Sequence, residues 1–447
     1  MSFKQSPFLK YPSKNNSFQV LFHPYQSSWI IVNKTASDII NQFFNNKSFG
    51  EIANKLSSEF EIDNQQALKD VNNVYENLIE KKFDKKNIET YKQRKPDLKS
   101  LFLHITRRCN LKCPHCYVGD SDSSIIDLPK KVIFELIDEL INNGGNGLTI
   151  SGGEPLLHPD INKILLYASK KLTVRLLTNG TKINSTMAKF IADNNIYVQI
   201  SLDGSTEALH DSIRGTGSYK KILRAIEELQ KYNAGNKLNL CTTLMKKNQS
   251  DWKQMINFAE KNEILLHRFL HLREIGRANN HPMAQALTSN EYEKFISHIS
   301  KLQRDKQQKI ELTCGMSGLL LKMPEEFQTD DIWCPVGRMV VIDTNGDAFP
   351  CVLLMRDKYR LGNIYDQNII EISKAKPMKD ICGILVKRRH IIEKCRCCSF
   401  KNLCQAGCMG QALDHNNSVM TTDDFCQYRQ KAYADSFDHL LQMADKR

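Results

Sequence analysis

The sequence predicts an α/β protein with a partial (β/α)6 TIM-type barrel at its centre. Between residues 101 and 280, six short apolar strands alternate with amphipathic helices, and polar turns containing glycine follow several strands. Cysteines cluster after the first of these strands and again near the C-terminus. Strands separated by such helices are typical of a parallel sheet, and six repeats favour a barrel or partial barrel over an open sheet.

Residues 1–84, which precede this repeat, predict a small winged-helix unit. Residues 18–33 alternate apolar and polar side chains like two short strands around a turn. Ser48 and Glu51 have capping-box spacing, and a second helix carries apolar residues at intervals of three and four between Leu68 and Ile79. Residues 85–100 are charged, lack periodicity and contain Pro96, which indicates a linker.

The composition favours a cytoplasmic protein that has several domains and binds metal. A chain of 447 residues exceeds one ordinary core, and no segment resembles a signal peptide or a membrane span, so no membrane association is expected. Fourteen cysteines in a reducing compartment favour metal binding over disulfides. The net charge of +12 suits an acidic partner, without choosing among an anionic peptide, a phosphate-bearing ligand and nucleic acid.

The first cysteine group comprises Cys109, Cys113 and Cys116, directly after the first barrel strand. A fully ligated four-iron cubane takes four cysteines, so three thiolates leave one iron open to a substrate or cofactor. Ligands of parallel sheets bind at the carboxyl ends of strands, where this group is expected. The alternative is zinc with a remote fourth ligand such as His115 or His104, although zinc sites usually show paired CxxC spacing.

The CxxxCxxC spacing, with an aromatic residue (His115) before the last cysteine and Tyr117 after it, resembles the signature of radical S-adenosylmethionine (SAM) enzymes. The resemblance implies that a reduced cluster passes an electron to the sulfonium of SAM. It also implies that the resulting 5′-deoxyadenosyl radical removes hydrogen from an unactivated carbon. A barrel suits this chemistry because its closed end excludes water and stray hydrogen donors.

Later turns resemble further SAM-binding elements of that family. By resemblance, Gly152, Gly153 and Glu154 form the GGE motif that receives the amino group of SAM, Asn179 lies in a cofactor-binding turn, Ser201 and Asp203 lie near the ribose, and Arg214 meets the carboxylate. Glycines permit close backbone approach, a carboxylate suits an ammonium, and a guanidinium suits a carboxylate. Each turn alone is a weak signal, but their order after successive strands is specific.

The C-terminal cysteines resemble the SPASM extension, which holds two auxiliary four-iron clusters, so three [4Fe–4S] clusters are expected in all. By resemblance the first auxiliary cluster takes Cys334, Cys351 and Cys408, with Cys314 as the best candidate for a fourth ligand, and the second takes Cys395, Cys398, Cys404 and Cys426. We interpret Cys241, Cys382 and Cys397, which lie outside the pattern, as buried or idle thiols. A zinc ribbon over residues 395–408 is the alternative.

The remaining domain limits follow from these patterns. Residues 101–280 are assigned to the barrel, 281–330 to a helical bridge and 331–447 to a loop-rich Fe–S (SPASM) domain. A region with few long apolar elements depends on metal for its stability, so cluster binding is expected to support its fold.

The N-terminal unit resembles the element that recognises leader segments of ribosomally made precursor peptides, with residues 28–33 and the helix over 66–82 as groove walls. A purely architectural role is the alternative. Together the three parts look like a sactisynthase-like radical SAM/SPASM peptide maturase. The resemblance implies a precursor peptide and a reducing partner such as flavodoxin or ferredoxin.

Thioether formation between cysteine and carbon is the favoured reaction, with carbon–carbon cross-linking and epimerisation as alternatives. Sulfatase maturation is disfavoured because the aspartate expected after the second SPASM cysteine is Val352 here. A non-catalytic electron carrier or an RNA-binding protein is the alternative of a different class. Only Lys85–Lys99 comes close to an RNA-binding pattern, and an electron carrier has no need of the GGE and Arg214 elements. No residue is assigned as catalytic acid or base.

Overall fold

The computed structural model describes residues 8–84, 94–119, 127–279, 281–304, 309–314 and 334–445. The predicted linker over 85–100 therefore lies partly outside the described residues, as do parts of the predicted bridge over 281–330. The first barrel strand begins at Ser100, so the last residue of the predicted linker belongs to that strand.

The N-terminal unit is a three-stranded antiparallel sheet followed by three helices. The strands are β1 (Leu9–Pro12), β2 (Phe18–His23) and β3 (Ser28–Asn33), paired in the order β1-β2-β3. The helices are α1 (Lys34–Phe44), α2 (Phe49–Phe60) and α3 (Asn64–Glu80). The two predicted strands within 18–33 are confirmed, whereas β1, only four residues long, was not predicted.

The predicted capping box at the start of α2 is confirmed. The Ser48 hydroxyl accepts a hydrogen bond from the Glu51 backbone, and the Glu51 carboxylate accepts one from the Ser48 backbone. The apolar faces of the three helices meet in a small core of their own that includes Ile40, Ile52 and Val71. This separate hydrophobic core stabilises the N-terminal unit independently of the barrel core.

The barrel contains the six predicted parallel strands in chain order. They are β4 (Ser100–His104), β5 (Gly147–Ser151), β6 (Thr173–Thr178), β7 (Tyr197–Ser201), β8 (Leu238–Leu244) and β9 (Leu266–His271). The helices between them are α4 (Lys130–Asn142), α5 (Ile161–Ser169), α6 (Ser185–Asp193), α7 (Glu207–Arg214), α8 (Ser218–Lys231) and α9 (Trp252–Lys261). Every neighbouring pair from β4 to β9 is parallel, which places all six carboxyl ends at one edge.

The sheet continues beyond this repeat on both sides. After α10 (Ser289–Arg304), β10 (Glu311–Thr313) adds in parallel to β9. On the other side β11 (Met339–Ile342) adds in parallel to β4, followed by antiparallel β12 (Asp347–Phe349) and β13 (Gly362–Asn363). The C-terminal region is thus joined to the barrel through the strand that precedes the first cysteine group.

Six helices complete the C-terminal region. They are α11 (Ile369–Lys374), α12 (Lys376–Ile391), α13 (Glu393–Arg396), α14 (Lys401–Cys404), α15 (Met409–Asn416) and α16 (Cys426–Ala444). Loops separate the short helices, as predicted, but α12 and α16 give the region more helix than the sequence pattern indicates. None of the helices in the described ranges has the length and apolar character that crossing a membrane requires.

The N-terminal sheet packs directly on the C-terminal region. The Phe437 ring of α16 lies 5.0 Å from Tyr11 and 5.4 Å from Phe22, measured between ring centroids. Phe22 also stacks on Phe400 at 5.4 Å, and the Asn402 amide donates to the carbonyls of residues 24 and 25. Aromatic burial therefore fixes the unit beside the second group of cysteines.

Candidate active site

The first cysteine group lies in the loop that follows β4, at the carboxyl edge of the barrel. Arg277, after β9, holds this loop across the barrel mouth: its backbone N–H donates to the Cys116 carbonyl at 3.0 Å, and its guanidinium donates to the Cys113 carbonyl at 2.9 Å. The thiols of Cys109, Cys113 and Cys116 are close enough for their charges to act on one another. The structure thus brings the three predicted ligands together.

The two glycines of the GGE turn are required by the approach of the cysteine loop. A Cβ atom at Gly152 would lie 2.4 Å from the carbonyl oxygen of Thr106, and one at Gly153 would lie 2.4 Å from that of Arg108. The Gly153 and Glu154 backbone N–H groups donate to these same two oxygens at 2.7 Å. The turn after β5 is therefore fastened to the loop that carries the cysteines.

The Glu154 carboxylate is fully buried and points toward the turn after β6. It accepts hydrogen bonds from the Thr178 hydroxyl and the Asn179 backbone at 2.7 Å, and from the Leu156 backbone at 3.1 Å. The Asn179 side chain in turn donates to Asn110 in the cysteine loop at 3.0 Å. A carboxylate accepts about four hydrogen bonds, so one further donor would complete the set.

A buried ion pair joins the turn after β7 to the cysteine loop. The Arg214 Nε atom lies 2.6 Å from an Asp203 carboxylate oxygen, and His115 Nε2 lies 3.2 Å from the same oxygen. The Arg214 guanidinium also reaches His115 Nε2 at 3.3 Å and the Cys113 sulfur at 4.0 Å. The Arg214 guanidinium thus lies beside the Cys113 thiol, where its positive charge favours the deprotonated, negatively charged form of the cysteine ligands.

Asp203, which is expected near the ribose of SAM, is held by groups of the protein itself. Its carboxylate is fully buried, and its second oxygen accepts a hydrogen bond from the Thr243 backbone at 2.8 Å. Both oxygens are thus engaged inside the protein, since a buried charge requires such partners. Ser201, at the end of β7, is only partly buried.

His115 has an open hydrogen-bonding position that fits a bound cofactor. Burial lowers the pKa of His115 to about 4, so the ring is neutral near pH 7. Its Nδ1 atom is buried and has no partner in the described part of the chain. Buried polar atoms are rarely left unpaired, so this nitrogen fits a polar group supplied by a cofactor over the cysteine loop.

Tyr117 lies between the cysteine loop and a neighbouring cleft that it helps to line. Its hydroxyl lies 3.0 Å from His104 Nε2 at the end of β4, and burial raises the pKa of Tyr117. The cleft is also lined by Gly152 and Arg273 from the barrel and by Val352 from the C-terminal region. It therefore opens between the cysteine loop and the C-terminal cysteines.

The four cysteines assigned to the second auxiliary cluster line one small cavity: Cys395, Cys398, Cys404 and Cys426. Arg429 Nε lies 3.1 Å from the Cys404 sulfur, and the Gln430 amide lies 3.2 Å from the Cys398 sulfur. Burial raises the pKa of Cys395 to about 12, which disfavours its free thiolate. Metal binding would deprotonate such a thiol, so the donor set fits a metal cluster.

Cys334, Cys351 and Cys408 form a second neighbouring set. The charges of Cys334 and Cys408 both act on Cys351, which is buried. Cys314 directly follows β10 and is buried, which raises its pKa, and it lines a cleft together with Leu353, two residues after Cys351. The structure therefore brings Cys334, Cys351 and Cys408 together, with Cys314 in the wall of a neighbouring cleft.

In the described ranges, no three His, Cys, Asp or Glu side chains are close enough to hold a single metal ion. Each thiolate of a cubane binds a different iron, so its ligands need not converge as zinc ligands do. The separation of the cysteines is compatible with clusters.

Three residues of the barrel mouth were not singled out from the sequence: Arg273, Gly276 and Arg277. Arg273 donates to the Val352 carbonyl at 3.2 Å and to Asp414 at 2.7 Å, which ties the end of β9 to the C-terminal region. Gly276 precedes Arg277, and a Cβ atom at this glycine would lie 2.6 Å from the Cys116 carbonyl oxygen. The only sequence signal that could have identified them is the presence of two arginines and a glycine directly after the sixth strand.

Three families match successive parts of the chain. Residues 19–83 match coenzyme PQQ synthesis protein D (PqqD), residues 103–259 the radical SAM superfamily, and residues 334–399 the SPASM iron–sulfur cluster-binding domain.

Similar proteins include several enzymes. The AdoMet-dependent heme synthase of Methanosarcina barkeri is 26% identical over 73% of this chain and 95% of its own length. The cysteine-type anaerobic sulfatase-maturating enzyme of Clostridium perfringens is 22% identical over 78% and 99%. The mycofactocin maturase MftC of Mycobacterium tuberculosis is 28% identical over 68% and 76%, and the subtilosin biosynthesis protein AlbA of Bacillus subtilis is 26% identical over 70% and 67%.

Solved structures show the same fold. AdoMet-bound anSMEcpe has a TM-score of 0.64 at 22% identity and covers 79% of this chain and 96% of its own. Streptococcus suis SuiB bound to S-adenosylmethionine has a TM-score of 0.61 at 17% identity and covers 94% and 98%. The matched families imply that the chain binds iron–sulfur clusters and SAM. With the cysteine loop, the GGE turn and the C-terminal thiol groups in place, the chain contains a radical SAM domain followed by a SPASM domain and preceded by a PqqD-type domain.

Proposed function

We propose that the protein modifies a ribosomally made precursor peptide by forming thioether links between cysteine sulfur and carbon. The observation that carries this proposal is the cleft between the two metal regions. Its wall runs from Tyr117, next to the first cysteine group, to Val352, next to Cys351. A peptide side chain in this cleft would lie beside both thiol groups.

When bound, SAM and its cluster would supply a 5′-deoxyadenosyl radical that removes a hydrogen atom from substrate carbon. Cys109, Cys113 and Cys116 would hold that cluster, and the open acceptor position of Glu154 suits the ammonium of SAM. Arg214, beside Cys113, suits its carboxylate. The unpaired Nδ1 atom of His115 would form a hydrogen bond with the same SAM molecule. The other residues that we assign to the SAM site are Tyr117, Gly152, Gly153, Asn179 and Ser201.

The substrate cleft has polar walls that suit a peptide backbone. Arg107 donates to the Thr344 hydroxyl at 2.6 Å and lies 4.0 Å from Asp343, so charges of both signs face the cleft. Arg273 holds the Val352 and Leu353 carbonyls in place at 3.2 Å. These residues orient a bound segment, while the packed barrel limits access of water to the carboxyl edge.

We assign three [4Fe–4S] clusters to the chain, one at the barrel mouth and two in the C-terminal region. Cys395, Cys398, Cys404 and Cys426 supply a full set of four thiols for one auxiliary cluster. Cys334, Cys351 and Cys408 supply three for the other. We propose that a thiol of the substrate, rather than Cys314, takes the fourth position, which favours thioether formation over the alternative reactions.

The N-terminal unit would bind the leader of the precursor. In the described part of the chain β3 pairs only with β2, so its other edge is available to an added strand. Ile31 on β3 and Leu68 on α3 are each 39% exposed, and such apolar side chains suit pockets for alternate leader residues. The PqqD match covers both elements.

The reaction also requires an electron donor, for which we propose a flavodoxin or ferredoxin in the cytoplasm. The positive net charge suits such a partner where it is acidic. Sulfatase maturation is not proposed, because Val352 occupies the position where an aspartate is expected.

Co-expression with a small cysteine-rich peptide encoded beside this protein tests the reaction by mass spectrometry. Each thioether link should remove a pair of hydrogen atoms and make one cysteine resistant to alkylation. The same mass loss with all thiols still alkylated would indicate carbon–carbon links, and an unchanged mass with inverted stereochemistry would indicate epimerisation. Peptide that is unchanged in mass and stereochemistry would contradict the proposal, with the Cys113→Ala variant as the matched control.

A further inference from the structure

Arg388, on α12, is a fully buried cation that binds only backbone carbonyls. Its guanidinium donates to the carbonyl oxygens of Val419 at 2.6 Å, Thr421 at 2.7 Å, Gly407 at 2.9 Å and Ala406 at 3.2 Å. Its exposed fraction is 0%. In the described part of the chain no carboxylate forms an ion pair with it. Burying a guanidinium in this way requires a negative charge nearby.

The nearest buried carboxylate is already taken by another arginine. Asp423 accepts hydrogen bonds from Arg429 at 2.6 and 3.0 Å and from the Cys408 backbone at 3.0 Å. Arg429 is also buried, so two buried guanidinium groups share the region with this one carboxylate. Asp423 also acts on Arg388 electrostatically, but its ion pair is with Arg429, so one carboxylate is shared between two buried cations.

Thiols of both auxiliary groups lie near Arg388. Cys408 and Cys334 from one group and Cys395 from the other are close enough to act on it electrostatically once they are deprotonated. A cubane with thiolate ligands carries net negative charge, so clusters at these cysteines would supply the missing counter-charge. Arg388 lies where both would contribute.

Arg388 also holds the short segment that divides the two groups. Gln405, Ala406 and Gly407 all have positive φ angles, of 53°, 64° and 69°, which two residues with side chains rarely adopt in succession. This left-handed turn separates Cys404 of one group from Cys408 of the other. Two of the four carbonyls bound by Arg388 belong to the turn.

We propose that Arg388 is a positioning residue shared by the two auxiliary clusters. Its charge stabilises the reduced, more negative forms of both clusters. Its hydrogen bonds hold the turn that directs Cys404 to one cluster and Cys408 to the other. This inference rests on the proposed cluster assignment. A nearby positive charge favours addition of an electron, so it raises the midpoint potential of a cluster.

The test uses full-length chain in which Cys109, Cys113 and Cys116 are replaced by alanine, so that only auxiliary clusters remain. Arg388→Met removes the charge and the hydrogen bonds, Arg388→Lys keeps the charge, and Lys387→Met removes an exposed charge from the same helix. After anaerobic reconstitution, the readouts are iron per chain and midpoint potentials from redox titration followed by electron paramagnetic resonance.

We expect about eight irons per chain in the parent and in Lys387→Met, four for each cubane, with equal potentials. Arg388→Met should lower both potentials and lose iron. Arg388→Lys should keep the parent potentials but retain less iron, and this variant stays informative if Arg388→Met fails to fold. Parent potentials with full iron content in Arg388→Met, or lowered potentials in Arg388→Lys, would overturn the role of Arg388. A parent that binds no iron would instead overturn the cluster assignment.

Discussion

Replacing Arg214 with Gln should affect stability and SAM binding for two separable reasons. The substitution removes the guanidinium that lies 2.6 Å from Asp203, whose carboxylate is fully buried. Leaving a buried charge without its partner costs about 3–5 kcal/mol of the free energy of unfolding. Loss of a charge-assisted hydrogen bond to the carboxylate of SAM costs about 1.5–3 kcal/mol, which weakens binding roughly 10- to 100-fold.

The double variant Asp203→Asn/Arg214→Gln separates the two effects because it removes both charges. We expect thermal unfolding of the reconstituted double variant to return most of the way to wild type, while anaerobic calorimetry shows SAM binding as weak as in Arg214→Gln. A double variant as unstable as the single one would refute the ion-pair argument. Wild-type affinity for SAM in either variant would refute the role of Arg214 in binding.

Three other predictions concern the auxiliary site, the leader and pH. Cys398→Ala should retain 5′-deoxyadenosine formation but lose cross-linked peptide, whereas the exposed neighbour Cys397→Ala should retain both; unchanged product in Cys398→Ala would make the site structural at most. Ile31→Glu should weaken leader binding in fluorescence anisotropy, while Phe60→Glu, at an apolar position 49% exposed on α2, should not; equal affinities would reject docking at β3. Burial lowers the pKa of His267 to about 3, compared with about 6.5 in the unfolded chain. Between these two pH values the unfolded chain binds a proton that the folded chain does not. The free energy of unfolding should therefore fall as the pH drops below about 6.5, by about 1.4 kcal/mol per pH unit. Urea midpoints of the metal-free protein should show a shallower pH slope in His267→Gln, and an unchanged slope would assign the effect elsewhere.

The barrel could be predicted from sequence because its signals are local. Each strand from β4 to β9 is short and carries buried apolar residues, and each intervening helix has its own apolar stripe. The position of the cysteine loop at the carboxyl edge then followed from the rule for parallel sheets. The direction in which Asp203 points could not be predicted, since it depends on Arg214 and His115, which reach it from other parts of the chain.

The C-terminal helices were harder to predict because polar side chains lie on their buried faces. In α12 the buried residues include Arg388, and in α16 they include Arg429 and Tyr433, which breaks the apolar periodicity expected of a packed helix. The strands β11 to β13 are two to four residues long and acquire their partners only in the folded sheet. The position of Cys314 likewise depends on the pairing of β10 with β9.

The most direct test of the central claim measures 5′-deoxyadenosine released from SAM by the reduced, anaerobically reconstituted protein. Three thiolates at Cys109, Cys113 and Cys116 predict an iron–sulfur cluster with an open iron, SAM cleavage by the wild-type chain and none by Cys113→Ala. Zinc bound in place of iron, a cluster that leaves SAM intact, or full cleavage by Cys113→Ala would contradict the account.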